Sequence, residues 1–157
     1  MGRQKTVLFV CTGNSCRSVI AEGLLRKYLE DRGRTDIKVT SAGVGTIDGM
    51  PPAPLAVEVM RKKGIDASAL RTKILTDDMI RNADLILVME EFHKQEIIER
   101  IPNARSKTFL LREFKRNSQD DGLEGPEIRD PIGQPLGEYE DCFGTIKAEI
   151  ERIMEFL

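Results

Sequence analysis

The sequence predicts one α/β domain over residues 1–157, with an open, mostly parallel sheet and helices on both of its faces. Short apolar runs alternate along the chain with segments of helical periodicity, in the order βαβααβαβα. The runs at residues 6–10 and 85–89 are almost wholly apolar, as strands covered on both faces are. A chain of 157 residues with 40% hydrophobic residues is long enough to bury one core and hardly two.

Each predicted strand is a short apolar or alternating run bounded by turn or helix signals. The four predicted strands span residues 6–10, 37–40, 85–89 and 107–111. Glycine, asparagine and serine at 13–15 follow the first strand closely. Ligands of such sheets bind beyond the carboxyl ends of the strands, so we expect the chemistry in the segment after the first strand.

Apolar residues recur at helical spacing in the segments between the strands, with charged residues on the other faces. The predicted helices span residues 18–32, 55–63, 76–83 and 91–101, and a last one is marked by apolar residues between Tyr139 and Leu157. Gly33 and Gly64 are placed to end the first two helices. Thr76 can cap the third, and Pro102 stops the fourth. Residues 112–137 are predicted as loop.

Composition excludes several classes of function. A formal net charge of −2 gives no global basic field for nucleic acid, and no apolar run approaches the roughly 18–20 residues of a membrane span. The first residues do not resemble a signal peptide, so a cytoplasmic location is expected. Three cysteines cannot all pair, which disfavours a disulfide framework. The one histidine, His93, cannot build a metal cluster and is expected on a solvated helix face.

The segment after the first predicted strand carries the strongest chemical signal. It reads Cys11-Thr12-Gly13-Asn14-Ser15-Cys16-Arg17-Ser18 and joins a strand directly to a helix N-terminus. The free N–H groups and the positive end of the helix dipole at such a junction attract an oxyanion. Gly13 and Asn14 tolerate a positive φ, which lets successive amides turn inward as a nest.

Three side chains of this loop predict phosphoryl transfer. Cys11 faces the helix N-terminus, whose field stabilises a thiolate nucleophile. Arg17 can return to the loop mouth, where its planar fork suits two phosphate oxygens. Ser18 can cap the helix or donate to the thiolate. The joint pattern C-x5-R-S indicates a phosphocysteine intermediate, whereas the spacing fits neither a nucleotide-binding P-loop nor a C-x2-C zinc or redox pair.

A departing ester oxygen needs a proton, so a general acid is expected among the loop carboxylates. The candidates are Asp48, Asp120, Asp121, Glu124, Glu127 and Asp130. Asp130 differs from the others because Pro131 follows it and favours an extended geometry that fixes how the carboxylate is presented. Asp-Pro is equally common as a simple turn starter, and spacing alone leaves both interpretations open.

The block VLFVCTGNSCRSVIAE at residues 7–22 resembles the low-molecular-weight protein tyrosine phosphatase family. Ser41-Ala42-Gly43 after the second strand and Asp130-Pro131 before the last helix resemble the same family, and the resemblance covers essentially the whole chain. It implies a four-stranded parallel sheet flanked by helices. It also implies a two-step hydrolysis of phosphorylated proteins that uses no metal and no other cofactor.

The resemblance gives the catalytic residues their expected roles. Cys11 would attack phosphorus, while Arg17 and the amides of the loop from Thr12 to Ser18 would hold the equatorial oxygens. Asp130 would protonate the leaving group and then activate water to break the phosphocysteine. Ser18 would assist the thiolate.

Four further residues are expected to support the loop or the core. By the resemblance, Asn14 and Ser41 would form a hydrogen-bond network that holds the loop. Cys16 could form a reversible disulfide with Cys11 and shield the nucleophile from over-oxidation. Cys142 lies on the apolar stripe of the last predicted helix and is expected in the core.

The resemblance leaves three substrates open, with phosphotyrosine leading. Family members that act on phosphotyrosine usually place aromatic rings beside the cleft, where this chain offers Ile47 and Ile132, with Phe114 the one aromatic near a rim loop. Ser15 is similar to the small hydroxyl residue of protein-arginine phosphatases. The loop also resembles that of arsenate reductases, although these need two more cysteines and only Cys142 is spare.

Overall fold

Residues 3–117 and 125–157 are described by the computed structural model, and they contain a four-stranded parallel sheet. The strands are β1 (Lys5–Cys11), β2 (Ile37–Gly43), β3 (Leu85–Val88) and β4 (Thr108–Leu110), and their order across the sheet is β2-β1-β3-β4. Cys11 pairs with Gly43 on one side of β1, and Val10 pairs with Val88 on the other. The predicted α/β class with four parallel strands is confirmed.

Five α-helices surround the sheet in the described ranges. They are α1 (Arg17–Asp31), α2 (Pro54–Lys62), α3 (Asp77–Asn82), α4 (Glu91–Arg100) and α5 (Leu136–Ile153). A short 3₁₀ helix that the sequence did not predict spans Pro102–Lys107. The predicted last helix ends in a second 3₁₀ turn, Met154–Phe156. Within these same ranges, no helix combines the length and the apolar character needed to cross a membrane.

Alternate residues of β1 enter two separate cores, because neighbouring side chains of a strand point to opposite faces of the sheet. Val7 and Phe9 belong to the core formed with α1, α2 and α5. Leu8 and Val10 belong to the core formed with α3 and α4. Helices therefore cover both faces, as predicted, and β1 is apolar throughout its centre because both of its faces are buried.

Most element ends follow local signals in the sequence. Gly33 and Gly64 take positive φ values of 64° and 79° just after α1 and α2. The Thr76 hydroxyl accepts a backbone amide of α3 at 3.2 Å and caps that helix. β2 differs from the prediction: it was expected to end at Thr40 but continues to Gly43, because it stays paired with β1 to the end of that strand.

The strand order creates one crevice at the carboxyl end of β1. The chain leaves β1 through α1 and reaches β2 on one side, whereas β3 lies on the other side of β1. The segments that follow β1, β2 and β3 therefore open at the same edge of the sheet and diverge there. Ligands of open α/β sheets bind at such a divergence, so the residues after these three strands form the expected site.

Gly43 lets the end of β2 touch the loop that follows β1. A Cβ atom on this glycine would lie 2.5 Å from the Thr12 carbonyl oxygen and 2.8 Å from the Asn14 amide nitrogen. Both neighbours are backbone atoms, which cannot swing aside as a flexible side chain can. The loop therefore packs directly on β2, with no room for a side chain between them.

Gly43→Ala is expected to destabilise the protein. Forcing a methyl group into a filled site costs about 1–3 kcal/mol, and here the displaced atoms belong to the loop backbone. Urea unfolding followed by circular dichroism measures the loss in free energy of unfolding. Gly144→Ala is the matched control, because Gly144 lies in α5 and a Cβ atom there meets nothing within 4 Å. Alanine in a helix gains up to roughly 1 kcal/mol over glycine, so two equally stable variants would contradict the packing argument.

Candidate active site

The loop of residues 12–16 connects β1 to α1 and is held by backbone hydrogen bonds from the segment after β2. The Val44 amide donates to the Cys11 carbonyl oxygen at 3.0 Å. The Gly45 amide donates to the Thr12 carbonyl oxygen at 2.9 Å. Because these carbonyl groups are engaged with the β2 side, the loop can present amides to the crevice.

Backbone amides are the main anion-binding groups of this loop. The amides of residues 12–17 have no acceptor in the part of the chain that the structure describes. They lie at the N-terminus of α1, where the helix dipole adds positive potential. Asn14 takes the left-handed conformation at a φ of 51°, whereas Gly13 does not use the positive φ that the sequence allows it. The loop is thus a cradle of N–H donors suited to a doubly charged oxyanion.

A directed chain of hydrogen bonds ends at the Cys11 sulfur. The Asn14 side-chain amide donates to Ser18 Oγ at 2.8 Å, and Ser18 Oγ lies 2.9 Å from Cys11 Sγ. Because the Ser18 oxygen already accepts from Asn14, its hydroxyl hydrogen is free to be donated to sulfur. The Ser18 hydroxyl is thus placed to hydrogen-bond to the sulfur when that atom acts as a nucleophile.

The same chain of hydrogen bonds continues into the protein interior. The other hydrogen of the Asn14 amide goes to Ser41 Oγ at 2.9 Å, and the Asn14 side-chain oxygen accepts the Lys73 backbone amide at 2.9 Å. Ser41 in turn donates to the buried carboxylate of Glu22, which pairs with Arg26 at 2.5 Å. The expected contact of Asn14 with Ser41 is present. Glu22 was missed, because a glutamate within a helix gives no sequence sign of burial.

Arg17 is buried at the start of α1 and turns toward the segment that precedes α5. Its guanidinium donates to the Ile128 carbonyl oxygen at 2.8 Å. It also lies 3.4 Å from Asp130 Oδ2 and 3.2 Å from Glu90 Oε1, with 2% of its side chain exposed. The fold therefore brings Arg17 and Asp130 together across 113 positions. Glu90, which no motif indicated, joins them from the end of β3.

Asp130 differs from the other candidate acids in what surrounds it. Its Oδ1 accepts a backbone amide two residues on at 3.1 Å, its Oδ2 faces Arg17, and 35% of its side chain is exposed. Asp48 and Glu127 each accept a backbone amide at 2.8 Å, whereas the carboxylates that pair with Arg17 in the described ranges are those of Glu90 and Asp130. Among the described candidates, Asp130 is thus the one beside the arginine. Three candidates lie outside the described residues: Asp120, Asp121 and Glu124.

Comparison with known proteins agrees with this geometry. Residues 6–157 match the family model for low molecular weight phosphotyrosine protein phosphatase. The chain belongs to this family. A probable low molecular weight protein-tyrosine-phosphatase of Ralstonia nicotianae is 40% identical over 94% of this chain and 92% of its own length. A protein-arginine-phosphatase of Geobacillus stearothermophilus is 37% identical over 96% of this chain and 95% of its own length.

Solved structures of the family share the fold. The low molecular weight protein tyrosine phosphatase from T. tengcongensis has a TM-score of 0.87 and 38% sequence identity to this chain. The match covers 98% of this chain and 100% of that one. The similarity spans the whole sheet and the loop after β1, and the chain is therefore a phosphatase of this family.

Two further thiols of the phosphatase lie against each other. Cys16 at the end of the loop and Cys142 in α5 are both free and buried. The pKa of Cys16 is raised, first by the contact of its thiol with that of Cys142 and then by burial. Cys16 is therefore a neutral thiol. Cys142 belongs to the core, as predicted. In residues 3–117 and 125–157, no three metal-binding side chains come together to hold an ion.

His93 lies inside the phosphatase, and its expected place on a solvated face is wrong. It is fully buried in α4, and its Nε2 lies 2.9 Å from Thr12 Oγ1 in the loop. Burial, and then the charge of Arg17, lower the pKa of the ring from 6.5 to about 4. The charged neighbours of His93 in sequence were misleading, because successive residues of a helix point about 100° apart.

Several apolar side chains of the phosphatase are exposed in segments that follow the strands. Ile47 and Ile132, which the sequence offered as substrate contacts, are 67% and 53% exposed. The expected rim position of Phe114 is wrong, because this ring is buried and packs on Phe109 with 5.1 Å between centroids. Phe92 at the start of α4 is also half-exposed, and no sequence motif indicated it.

Acid is expected to destabilise the folded protein through His93. The unfolded chain takes up a proton near pH 6.5, whereas the buried ring resists protonation until about pH 4. Between these values the unfolded state binds more protons, so the free energy of unfolding falls as the pH falls through this window. At about 1.4 kcal/mol per pKa unit, the loss over this window is on the order of 3 kcal/mol.

The free energy of unfolding is to be measured as a function of pH. The control is His93→Gln, whose side chain stays neutral in both the folded and the unfolded state. Carboxylates titrate in the wild type and in the variant alike, so the quantity of interest is the difference between their free energies of unfolding. As the pH falls from neutral to about 4, the variant is expected to gain stability relative to the wild type, by the amount given above. A difference that does not change with pH would contradict the burial of a neutral histidine.

Proposed function

We propose that this protein hydrolyses phosphotyrosine in proteins through a phosphocysteine intermediate on Cys11. The observation that carries the proposal is the chain of hydrogen bonds from Asn14 through Ser18 to the Cys11 sulfur, which lies at the base of a loop of free amides. Such a sulfur is an activated nucleophile, and the amides around it suit the oxygens of a phosphate group.

In the proposed first step, the Cys11 thiolate forms a bond to phosphorus while the bond from phosphorus to the phenolic oxygen breaks. The loop amides and the Arg17 guanidinium hold the three remaining oxygens and stabilise their charge. Asp130 acts as the acid and gives its proton to the departing oxygen. The contact between Arg17 and Asp130 keeps the acid beside the group that binds phosphate.

In the proposed second step, water attacks phosphorus and the bond to sulfur breaks. The Asp130 carboxylate takes a proton from the attacking water, which returns Asp130 to its acid form. Inorganic phosphate leaves, and Cys11 is released as a thiolate that the Ser18 hydroxyl stabilises. In this proposal the nucleophile, the phosphate-binding groups and the acid come from this chain, and the attacking water comes from solvent.

The proposed partner is a phosphorylated protein, and two exposed isoleucines support phosphotyrosine as the substrate. Ile47 and Ile132 can pack against an aromatic ring. Ile47 lies on a loop that is held in place, because its carbonyl oxygen accepts the Thr72 hydroxyl at 2.6 Å. The relative from Ralstonia nicotianae is named a protein-tyrosine-phosphatase. Free buried thiols suit a reducing compartment, and we propose a cytoplasmic location.

A protein-arginine phosphatase is the second candidate function, and two positions favour it. Ser15 at the loop is a small residue whose hydroxyl can accept a hydrogen bond from a guanidinium group. Gly133, three positions after Asp130, adopts a φ of 78° and leaves that part of the rim without a side chain. The relative from Geobacillus stearothermophilus is named a protein-arginine-phosphatase.

Cys11→Ser is expected to lower the turnover of an aryl phosphate roughly 1,000-fold or more, because an un-ionised hydroxyl replaces the thiolate. Release of inorganic phosphate measures the rate. Cys142→Ser is the matched control, since Cys142 is a buried cysteine that takes part in neither step, and full activity is expected. Activity retained by Cys11→Ser would refute the proposal. Reduction of arsenate by the wild type, lost in Cys142→Ser, would favour the reductase alternative instead.

The same assay examines the acid when leaving groups of different quality are compared. Asp130→Asn is expected to slow a phosphate ester with a poor leaving group roughly 100-fold, the usual contribution of a general acid. An ester with a good leaving group needs little protonation and is expected to lose far less. Equal losses on both esters would exclude Asp130 as the acid while leaving the role of Cys11 intact.

Phosphotyrosine and phosphoarginine peptides of one sequence are to be compared by their kcat/KM values. We expect the wild type to have the higher kcat/KM for the phosphotyrosine peptide. Ser15→Ile is expected to lower kcat/KM for phosphoarginine about tenfold or more, because it removes a polar partner and fills space, while phosphotyrosine is affected less. Preference of the wild type for phosphoarginine, removed by Ser15→Ile, would replace the first candidate by the second.

A further inference from the structure

His93 is the one fully buried ionisable side chain of the described residues that the proposed chemistry does not use. It lies in the first turn of α4, directly beyond the end of β3. Its ring connects two parts of the site that come from distant places in the sequence. Nε2 lies 2.9 Å from Thr12 Oγ1, and Nδ1 lies 3.1 Å from the backbone nitrogen of Glu90.

The hydrogen bond to Glu90 determines which ring nitrogen of His93 carries the proton. A backbone N–H can only donate, so Nδ1 must accept from Glu90 and has no hydrogen of its own. A neutral imidazole has one N–H, which therefore lies on Nε2 and points at Thr12 Oγ1. The low pKa of the ring, about 4, agrees with this neutral form.

Thr12 is held from both sides of the crevice. On the β2 side its carbonyl oxygen accepts the Gly45 amide at 2.9 Å. On the β3 side its hydroxyl accepts from His93. The Thr12 carbonyl and the Gly13 amide belong to one planar peptide, so fixing that carbonyl toward β2 also fixes the direction of the Gly13 amide. The side-chain bond to His93 restricts the remaining rotation of Thr12.

The same turn of α4 also holds Arg17. The His93 backbone amide donates to the Glu90 carbonyl oxygen at 3.1 Å, and the Glu90 amide donates to the ring. Glu90 Oε1 lies 3.2 Å from the Arg17 guanidinium. One imidazole ring is thus bonded to the loop at Nε2 and, at Nδ1, to the residue that pairs with Arg17.

We propose that His93 is a positioning residue for the phosphatase reaction, which sets the orientation of the Thr12 segment of the loop through its Nε2–H bond to the Thr12 hydroxyl. The inference rests on the proposed function, since it assigns these amides to phosphate. The ring touches no reacting atom. We expect loss of this bond to weaken the affinity of the loop for phosphate and to lower kcat. Both depend on how well the amides are aligned before substrate arrives.

Two conservative variants separate the two bonds of the ring. In His93→Asn the side-chain oxygen occupies the place of Nδ1 and keeps the bond from Glu90, but nothing reaches Thr12. In His93→Gln the side-chain amide occupies the place of Nε2 and can still donate to Thr12. We expect His93→Asn to lower kcat and to weaken inhibition by inorganic phosphate about tenfold each, the size of one lost hydrogen bond, and His93→Gln to restore both.

A double-mutant cycle locates the effect in the bond itself. Thr12→Val removes the acceptor and keeps the branched shape, so it should match His93→Asn in kcat and in phosphate inhibition. The double variant is expected to be no worse than either single one, because both remove the same bond. Additive losses would overturn the proposal. So would a His93→Asn variant that loses stability in urea but keeps wild-type kcat and phosphate inhibition.

A measurement that is independent of activity keeps this proposal distinct from the proposed function. The chain has one histidine, so a two-dimensional ¹⁵N–¹H spectrum of its ring has a single set of signals. We expect the Nε2–H form at neutral pH, and a changed Nε2–H signal in Thr12→Val. An Nδ1–H form would overturn the inference even in an active enzyme. If the spectrum is as expected but the protein hydrolyses no phosphorylated substrate, the proposed function is refuted instead.

Discussion

The buried side chain of Asn14 is the group on which the rest of the site depends. Its two amide hydrogens go to Ser18 and Ser41, and its oxygen accepts the Lys73 amide. Rotation of this side chain would leave buried polar atoms unpaired, at a cost of about 1–3 kcal/mol each. The left-handed turn of the loop, the direction of the Ser18 hydroxyl and the closeness of α1 to β2 are therefore determined together.

The two sides of the crevice hold the loop by different means. The β2 side acts through the backbone, with the amides of Val44 and Gly45 bonded to loop carbonyls. The β3 side acts through side chains, with Glu90 on the arginine and His93 on the loop. The backbone contacts determine the shape of the loop, whereas the side chains on the other side determine charge and alignment. The rim residues take part in neither set of contacts.

Local sequence predicted much of this site, and long-range pairing explains what it did not predict. The loop after β1 could be recognised because a strand, a turn and a helix N-terminus follow one another within a few residues. His93 and Glu90 reach the loop only because β3 pairs with β1, and 81 positions separate His93 from Thr12. Phe114 was misplaced for a related reason, since its burial depends on Phe109 in β4 and not on its own loop.

The direct contact between Gly43 and the loop also bears on how this protein can be adapted to new substrates. The space at Gly43 cannot be adjusted gradually by substitution, because any side chain at that position meets the carbonyl of Thr12. A directed-evolution library would therefore find only destabilised variants there. Positions such as Ile47 and Ile132 are exposed and can be varied without disturbing the nucleophile. New specificity in this scaffold is thus accessible at such exposed positions and closed where Gly43 meets the loop.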